Sequence, residues 1–260
     1  MATVVLKLGG AVCLEPATVA VVADEIKALQ AAGHAVVIVH GGGPQLDKAL
    51  VELGETVQKI DGLRVTSKPA AKVVLKVMDA IGKDLARLLN EAGVKANHLP
   101  AVAEGFQAMP KKSEKGDLGR VGTVSRFTAG SRITGAREVA VVTPVGFDAQ
   151  GPLNINADEG AAFVATALRV KWLVLATDVA AVRGAEGEAL SKLTPRSARK
   201  LILENTASGG MIPKLTAAVA ALSGSVSRVI ITKIQPGLLQ DAVLRGKIQG
   251  TLVENDLAVA

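Results

Sequence analysis

Ala35 to Leu50 reads AVVIVHGGGPQLDKAL, and the fold turns on how this stretch is read. Val36 to Val39 has no polar alternation, as expected of a strand buried on both faces at the centre of a parallel sheet. Gly41, Gly42 and Gly43 lack the Cβ atoms that would keep a ligand off the backbone, and Pro44 suits the first helical position, where no N–H is needed. A helix N-terminus therefore faces bare backbone. Free amides together with the positive end of a helix dipole hold phosphate or carboxylate. The plainer alternative is that these glycines only make a tight βα turn.

Upstream the same pattern occurs. TVVLKL (Thr3 to Leu8) is an apolar strand carrying one lysine, Lys7, directly before Gly9 and Gly10. A lysine near the carboxyl end of a central strand either snorkels to solvent or meets an anion at the switch point of the sheet, and the second glycine turn favours the anion. Pro16 and Gly33 bracket a helix with Val19, Val22, Ile26 and Leu29 on one face. Strand, glycine turn, helix, twice over, means a parallel sheet covered by helices.

Downstream, Thr66 or Ser67 can cap a helix from about Pro69 to Asn90, with Val74, Val77, Ile81, Leu85 and Leu88 as its buried stripe. Arg64 in GLRVT (Gly62 to Thr66) is either a surface charge or a fork that binds a carboxylate in two places. From Asn97 to Gly135 the pattern weakens, and Lys111, Lys112, Glu114, Lys115 and Asp117 read as an exposed hairpin or flap. Arg137 to Val142 returns to a buried strand. NINAD (Asn154 to Asp158) opens a helix through Leu168, where an Asn or Asp is often a cap. Trp172 to Ala176 is a strand ending in Thr177-Asp178, at the strand ends where an open α/β sheet receives ligands. Thr194-Pro195 starts a helix, and SGGMIPK (Ser208 to Lys214) leads into another. Lys214 stands at the positive end of that helix, unfavourable unless an anion is bound. A strand at Arg228 to Thr232, a helix from Pro236 to Arg245 and a strand at Gly250 to Val253 complete the chain.

The 260 residues, 49% of them apolar, suffice for one large α/β domain or two lobes. No apolar run approaches the ~20 residues needed to span a bilayer, and Met1 leads straight into a strand, so a soluble, cytoplasmic protein without membrane partners is expected. Cys13 stands alone, which excludes a disulfide framework and a zinc cluster. The net charge is +6, but the basic residues are dispersed and aromatics make up 2%, so stacking platforms for nucleic acid are absent. A basic excess instead suits an enzyme with anionic small-molecule substrates.

Phosphoryl transfer needs alignment and neutralisation of charge more than covalent help. Two glycine turns with Lys7 and Lys214 supply this if folding brings them together, and Asp158 can hold both ammonium groups. A carboxylate acceptor requires no general base, consistent with three histidines, His34, His40 and His98, that form no metal or nucleophile constellation.

In order and spacing, KLGG (Lys7 to Gly10), HGGGP (His40 to Pro44), GLRVT, NINAD, TDV (Thr177 to Val179) and GGMIPK (Gly209 to Lys214) resemble the acetylglutamate kinases over nearly the whole chain. GLRVT and GGMIPK separate this family from other amino acid kinases. The resemblance implies an α/β fold, a three-layer αβα sandwich around an open, mainly parallel sheet. It implies an acyl-amino-acid-binding lobe over about 1–150 and an ATP-binding lobe over about 151–260. The implied activity is ATP-dependent phosphorylation of the side-chain carboxylate of N-acetyl-L-glutamate in arginine biosynthesis, with Mg2+ travelling with the phosphates and no metal-ligand set in the protein. Carried over by motif, Lys7 and Lys214 stabilise the transition state and Asp158 organises them. Gly42, Gly43, Arg64 and Asn154 bind the acyl amino acid, and Gly9, Gly10, Thr177, Asp178, Gly209, Gly210 and Met211 hold ATP. The short segment before the first strand implies an arginine-insensitive homodimer.

The chain departs from the family pattern at His98 to Val102, Gly82-Lys83, Val179 to Ala181, Thr232-Lys233 and the Gly, Ser and Thr-rich stretch before Val139. None of these removes a residue assigned to chemistry. Two other readings are a kinase for aminoadipate on an acidic carrier protein in lysine biosynthesis, which the Lys111 to Lys115 flap would suit, and a regulator that binds nucleotide or acyl amino acid without catalysis.

Overall fold

The structure, a computed structural model, describes residues 2–129, 133 and 137–255. β1 (Thr3–Leu8) and β2 (Ala35–His40) are buried along almost their entire length, and α1 (Pro16–Ala31) crosses between them. α2 (Gly43–Glu52) follows the triple glycine, and a two-residue hairpin, β3 (Lys59–Ile60) and β4 (Leu63–Arg64), leads into α3 (Lys68–Glu91). Ser67 caps α3 by accepting from the Ala70 amide, as the sequence indicates. β5 (Ala96–Leu99) and one helical turn, α4 (Ala101–Glu104), come next.

β6 (Phe106–Pro110) and β7 (Val121–Phe127) form the expected antiparallel hairpin, but not as an isolated flap. After β8 (Val139–Val142), β9 (Val145–Asp148) and β10 (Gly151–Ile155) make a second hairpin, and the four strands close into a small barrel in the order β10-β7-β6-β9. That second hairpin is absent from the sequence reading, and it puts Asn154 on a strand, with the helix α5 (Ala157–Ala167) starting three residues later. The Gly, Ser and Thr-rich stretch before Val139 lies largely outside the described residues.

β11 (Trp172–Thr177) precedes a hairpin of β12 (Val182–Arg183) and β13 (Ala189–Leu190), then β14 (Lys192–Leu193), α6 (Pro195–Leu203), α7 (Met211–Ser223) and β15 (Arg228–Lys233). α8 (Leu238–Gln240) runs on as a π turn over Asp241–Arg245, and β16 (Thr251–Glu254) ends the described chain. The buried carboxylate of Glu25 accepts from the amides of Gly237, Leu239 and Gln240 at 2.6, 2.8 and 3.0 Å, where the dipole of this last helix is positive.

The main sheet has eight strands in the order β14-β16-β15-β11-β1-β2-β8-β5, parallel except at β15 and β16. Alternation divides its side chains between two cores. Val4, Leu6, Val36, Ile38 and Val174 face α1 and α3, whereas Val5, Val37, Val39, Leu173 and Leu175 face α5 and α7. The result is the three-layer sandwich. Lys7 shares the face of Val5 and is the last position on it before the Gly9-Gly10 turn, so the alternation aims it at the layer containing α5 and α7.

Candidate active site

Lys7, Asp158 and Lys214 meet at one point. Lys7 Nζ lies 3.0 Å from Asp158 Oδ1, and Lys214 Nζ donates to Asp158 Oδ2 at 3.2 Å. The three residues are 5%, 4% and 8% exposed. Two ammonium groups against one carboxylate leave a net positive charge away from bulk water, an arrangement that favours an arriving anion. Burial pushes the Asp158 carboxyl pKa up, but the adjacent Lys7 and Lys214 charges outweigh it and hold the group below the ordinary carboxylate range. Burial pulls the Lys7 ammonium down, opposed by Asp158 and reinforced by Lys214.

Local structure accounts for each position. Lys7 is the penultimate residue of a central strand. Asp158 sits in the first turn of α5, whose cap, Asn156, accepts from the amides of Asp158 and Glu159 at 2.9 and 3.1 Å. α2 and α7 start differently: Gly42 and Gly210 are their N-caps, and no side chain caps either helix. Those two helix ends border a cavity of about 340 Å3 with the ammonium pair in its wall. A Cβ at Gly10 would stand 2.5 Å from both Gly42 N and Gly43 N, so glycine there keeps the space before those amides open to a phosphate oxygen.

Gly9, Gly10, Gly42, Gly43, Arg64, Asn154, Thr177, Asp178 and Gly210 also line this cavity, whereas Gly209 and Met211 do not. Gly209 takes a left-handed φ of 52° in the turn before α7, and its carbonyl oxygen would be 2.9 Å from a Cβ at Gly62. Met211 packs against the core beneath α7. Arg64 is buried, with Nη1 on the Asp47 carboxylate and Nη2 donating to Gly43 O at 3.2 Å. Asn154 donates to Thr66 Oγ1 at 3.1 Å, and Thr66 donates to Arg64 O at 2.8 Å. Thr177 donates to Asp178 Oδ1 at 2.9 Å, the main cause of the lowered Asp178 pKa.

Three residues at the site were not picked out from the sequence. Asp47 orients Arg64, Lys59 stands 3.7 Å from Asp47, and Gln45 Nε2 donates to Gly10 O at 2.9 Å, tying the first glycine turn to α2. Their signal is faint: Gln45 and Asp47 follow HGGGP directly, but polar residues in a first helical turn usually face water. Among the described residues no group of three or more His, Cys, Asp or Glu side chains is placed to hold a metal ion.

Residues 2–233 match the amino acid kinase family. The acetylglutamate kinase of Psychrobacter cryohalolentis is 34% identical over 270 residues, covering 98% of this chain and 90% of that one. A solved structure from Streptococcus mutans UA159 superposes with a TM-score of 0.79 at 31% identity, covering 98% of this chain and 99% of that one. The N-acetylglutamate synthase of Neisseria gonorrhoeae, solved with coenzyme A and N-acetyl-glutamate, shares the fold at a TM-score of 0.84 and 23% identity, and all of this chain matches 61% of its length. With its sandwich, its glycine turns and its paired lysines in place, the chain belongs to the amino acid kinase family.

Proposed function

We propose that this chain transfers the γ-phosphoryl group of ATP to the side-chain carboxylate of N-acetyl-L-glutamate, giving N-acetyl-L-glutamyl 5-phosphate and ADP, a step of arginine biosynthesis. The carrying observation is the convergence of Lys7 and Lys214 on Asp158 beside two uncapped helix ends. Acetylglutamate kinase relatives spanning nearly the whole chain support the choice of acceptor.

A carboxylate oxygen attacks the γ-phosphorus, the new O–P bond forms as the bond to the β-phosphate oxygen breaks, and ADP departs with that electron pair. No proton moves. The reaction therefore needs charge stabilisation and alignment rather than a base. Lys7 and Lys214, held apart by Asp158, neutralise charge on the equatorial and bridging oxygens, and the Gly42 and Gly43 amides bind what the ammonium groups do not reach. Arg64 takes the α-carboxylate of the acceptor in two places, with Asn154 beside it, while Thr177, Asp178 and Gly210 border the nucleotide. Mg2+ would come with ATP and would supply further charge neutralisation at the phosphates, with no side-chain metal cluster among the described residues to hold it. The reading divides the chain at about residue 150 into an acyl-amino-acid lobe and an ATP lobe. It carries a cytoplasmic homodimer. No helix among the described residues is long and apolar enough to cross a membrane.

The lysine-rich flap does not favour a carrier-bound acceptor, since Lys111 pairs with Glu159 at 2.5 Å and Lys115 with Asp61 at 2.7 Å. Trapping the acyl phosphate with hydroxylamine tests the choice. Free N-acetylglutamate with MgATP yields hydroxamate and carrier-linked aminoadipate yields none. Product from the carrier-linked acceptor alone would transfer the chain to that substrate, and ATP binding with no hydroxamate from either would leave a non-catalytic binder.

A further inference from the structure

Beside the cavity runs a line of polar side chains that the phosphoryl-transfer reading does not use. Strands β2, β8 and β5 are neighbours, and at or near their carboxyl ends stand His40, Thr143 and His98. His40 Nδ1 is 3.1 Å from Gly41 O, His40 Nε2 is 3.2 Å from Thr143 Oγ1, and His98 Nε2 is 2.9 Å from the same hydroxyl and 3.4 Å from Asp79 Oδ1.

The protons along this line can be placed from one fixed end. A carbonyl only accepts, so His40 carries its proton on Nδ1 and donates to Gly41 O. Burial holds His40 neutral, with its pKa lowered to about 4, so Nε2 is an acceptor. The single hydroxyl proton of Thr143 goes to that Nε2. Thr143 Oγ1 is then free to accept, and His98 donates to it from Nε2, sharing that proton with Asp79.

Gly41 O and Gly42 N–H are opposite ends of one planar peptide, and the chain contains no cis peptide among its described residues. Holding the carbonyl in one direction therefore fixes the amide in the other. The Gly42 amide donates to no protein acceptor among the described residues, and Gly42 lines the cavity. Space for this line has been kept in α3. A Cβ at Gly82 would lie 2.6 Å from His98 Cδ2, 2.7 Å from His98 Nε2 and 2.9 Å from Thr143 Oγ1. Glycine inside a helix is unfavourable relative to alanine, so the residue type at this position answers to the histidine packed against it.

We propose that His98, Thr143 and His40 form a one-directional hydrogen-bond relay that locks the Gly41–Gly42 peptide and aims the Gly42 amide at the phosphoryl group in transfer. All three are positioning residues, acting through the backbone of the glycine turn. The inference rests on the kinase reading for what the amide meets, but the relay itself is a property of the free protein.

Two measurements separate these levels. Long-range 1H–15N spectra of the imidazoles at neutral pH show His40 as the Nδ1–H tautomer and His98 as the Nε2–H tautomer. His40 in the Nε2–H form overturns the relay, whatever the chain's activity. In the hydroxamate assay, Thr143→Val lowers kcat about tenfold while both KM values stay within about threefold, and Thr143→Ser, which keeps the hydroxyl, returns kcat to within about twofold of the parent. A folded Thr143→Val variant with parental kcat, or equal losses in the Val and Ser variants, overturns the proposal. If the Val variant does not fold, the tautomers decide. A parent chain that makes no hydroxamate removes the kinase reading and leaves the tautomer test standing.

Discussion

Arg64 carries a charge that burial disfavours and two local acceptors that tolerate it, Asp47 and Gly43 O. Its fork is thus oriented before any acceptor arrives. In the proposed reaction a substrate carboxylate would add charge-assisted hydrogen bonds there, much the same in ground and transition states. Arg64→Ala is therefore expected to raise the KM for N-acetylglutamate by about tenfold to a hundredfold, with kcat changed only a few-fold, in steady-state kinetics. His40 governs a different property. Its pKa falls from 6.5 to about 4 on burial, so the unfolded chain binds a proton that the folded one refuses between those values. Stability then drops as pH falls from 6.5 towards 4, by about 3 kcal/mol over the window at ~1.4 kcal/mol per unit. Denaturant titrations at pH 7 and pH 4.5 measure this, and His40→Gln flattens the slope. Lys7 and Lys214 are visible in the sequence because each places a charge where the local element disfavours one. Asp47 and Gln45 are not, since only the position of Arg64 and of the Gly9-Gly10 turn decides that they face inward.

At the scale of elements, the site depends on two glycine turns brought into contact at the ends of adjacent strands β1 and β2. Gly10→Ala puts a methyl group against the Gly42 and Gly43 amides, where backbone must move to admit it. Activity is expected to fall by at least about tenfold in the hydroxamate assay, by loss of oriented donors. Gly43→Ala, whose Cβ meets nothing within 4 Å, keeps the parental Tm in a thermal melt, which separates occupation of the cradle from general disruption. The strands, turns and helices around these glycines are legible because apolar runs and glycine breaks mark them without ambiguity. The hairpin of β9 and β10 is not. Its strands are four and five residues long, and half of its pairing lies with β6 and β7, so no local period announces it. The entry to α8 is equally silent, its amides being held by the carboxylate of Glu25, more than 200 residues away in the chain.

Over the whole molecule, the parallel sheet joins what the chain separates. Lys7 comes from the first strand and Lys214 from a helix near the other end, and both reach Asp158 because β1 lies next to β11 and beneath α5 and α7. The alternation along β1 foretells which face Lys7 takes, but the distance between the two ammonium groups needed the assembled layers. The central claim is that these two groups share the charge of one phosphoryl group in transfer. The turnover number of folded Lys7→Ala and Lys214→Ala variants, measured by hydroxamate formation with saturating N-acetylglutamate and MgATP, tests it most directly. A fall of about a hundredfold to a thousandfold in each is predicted; a parental turnover number in either variant would contradict it.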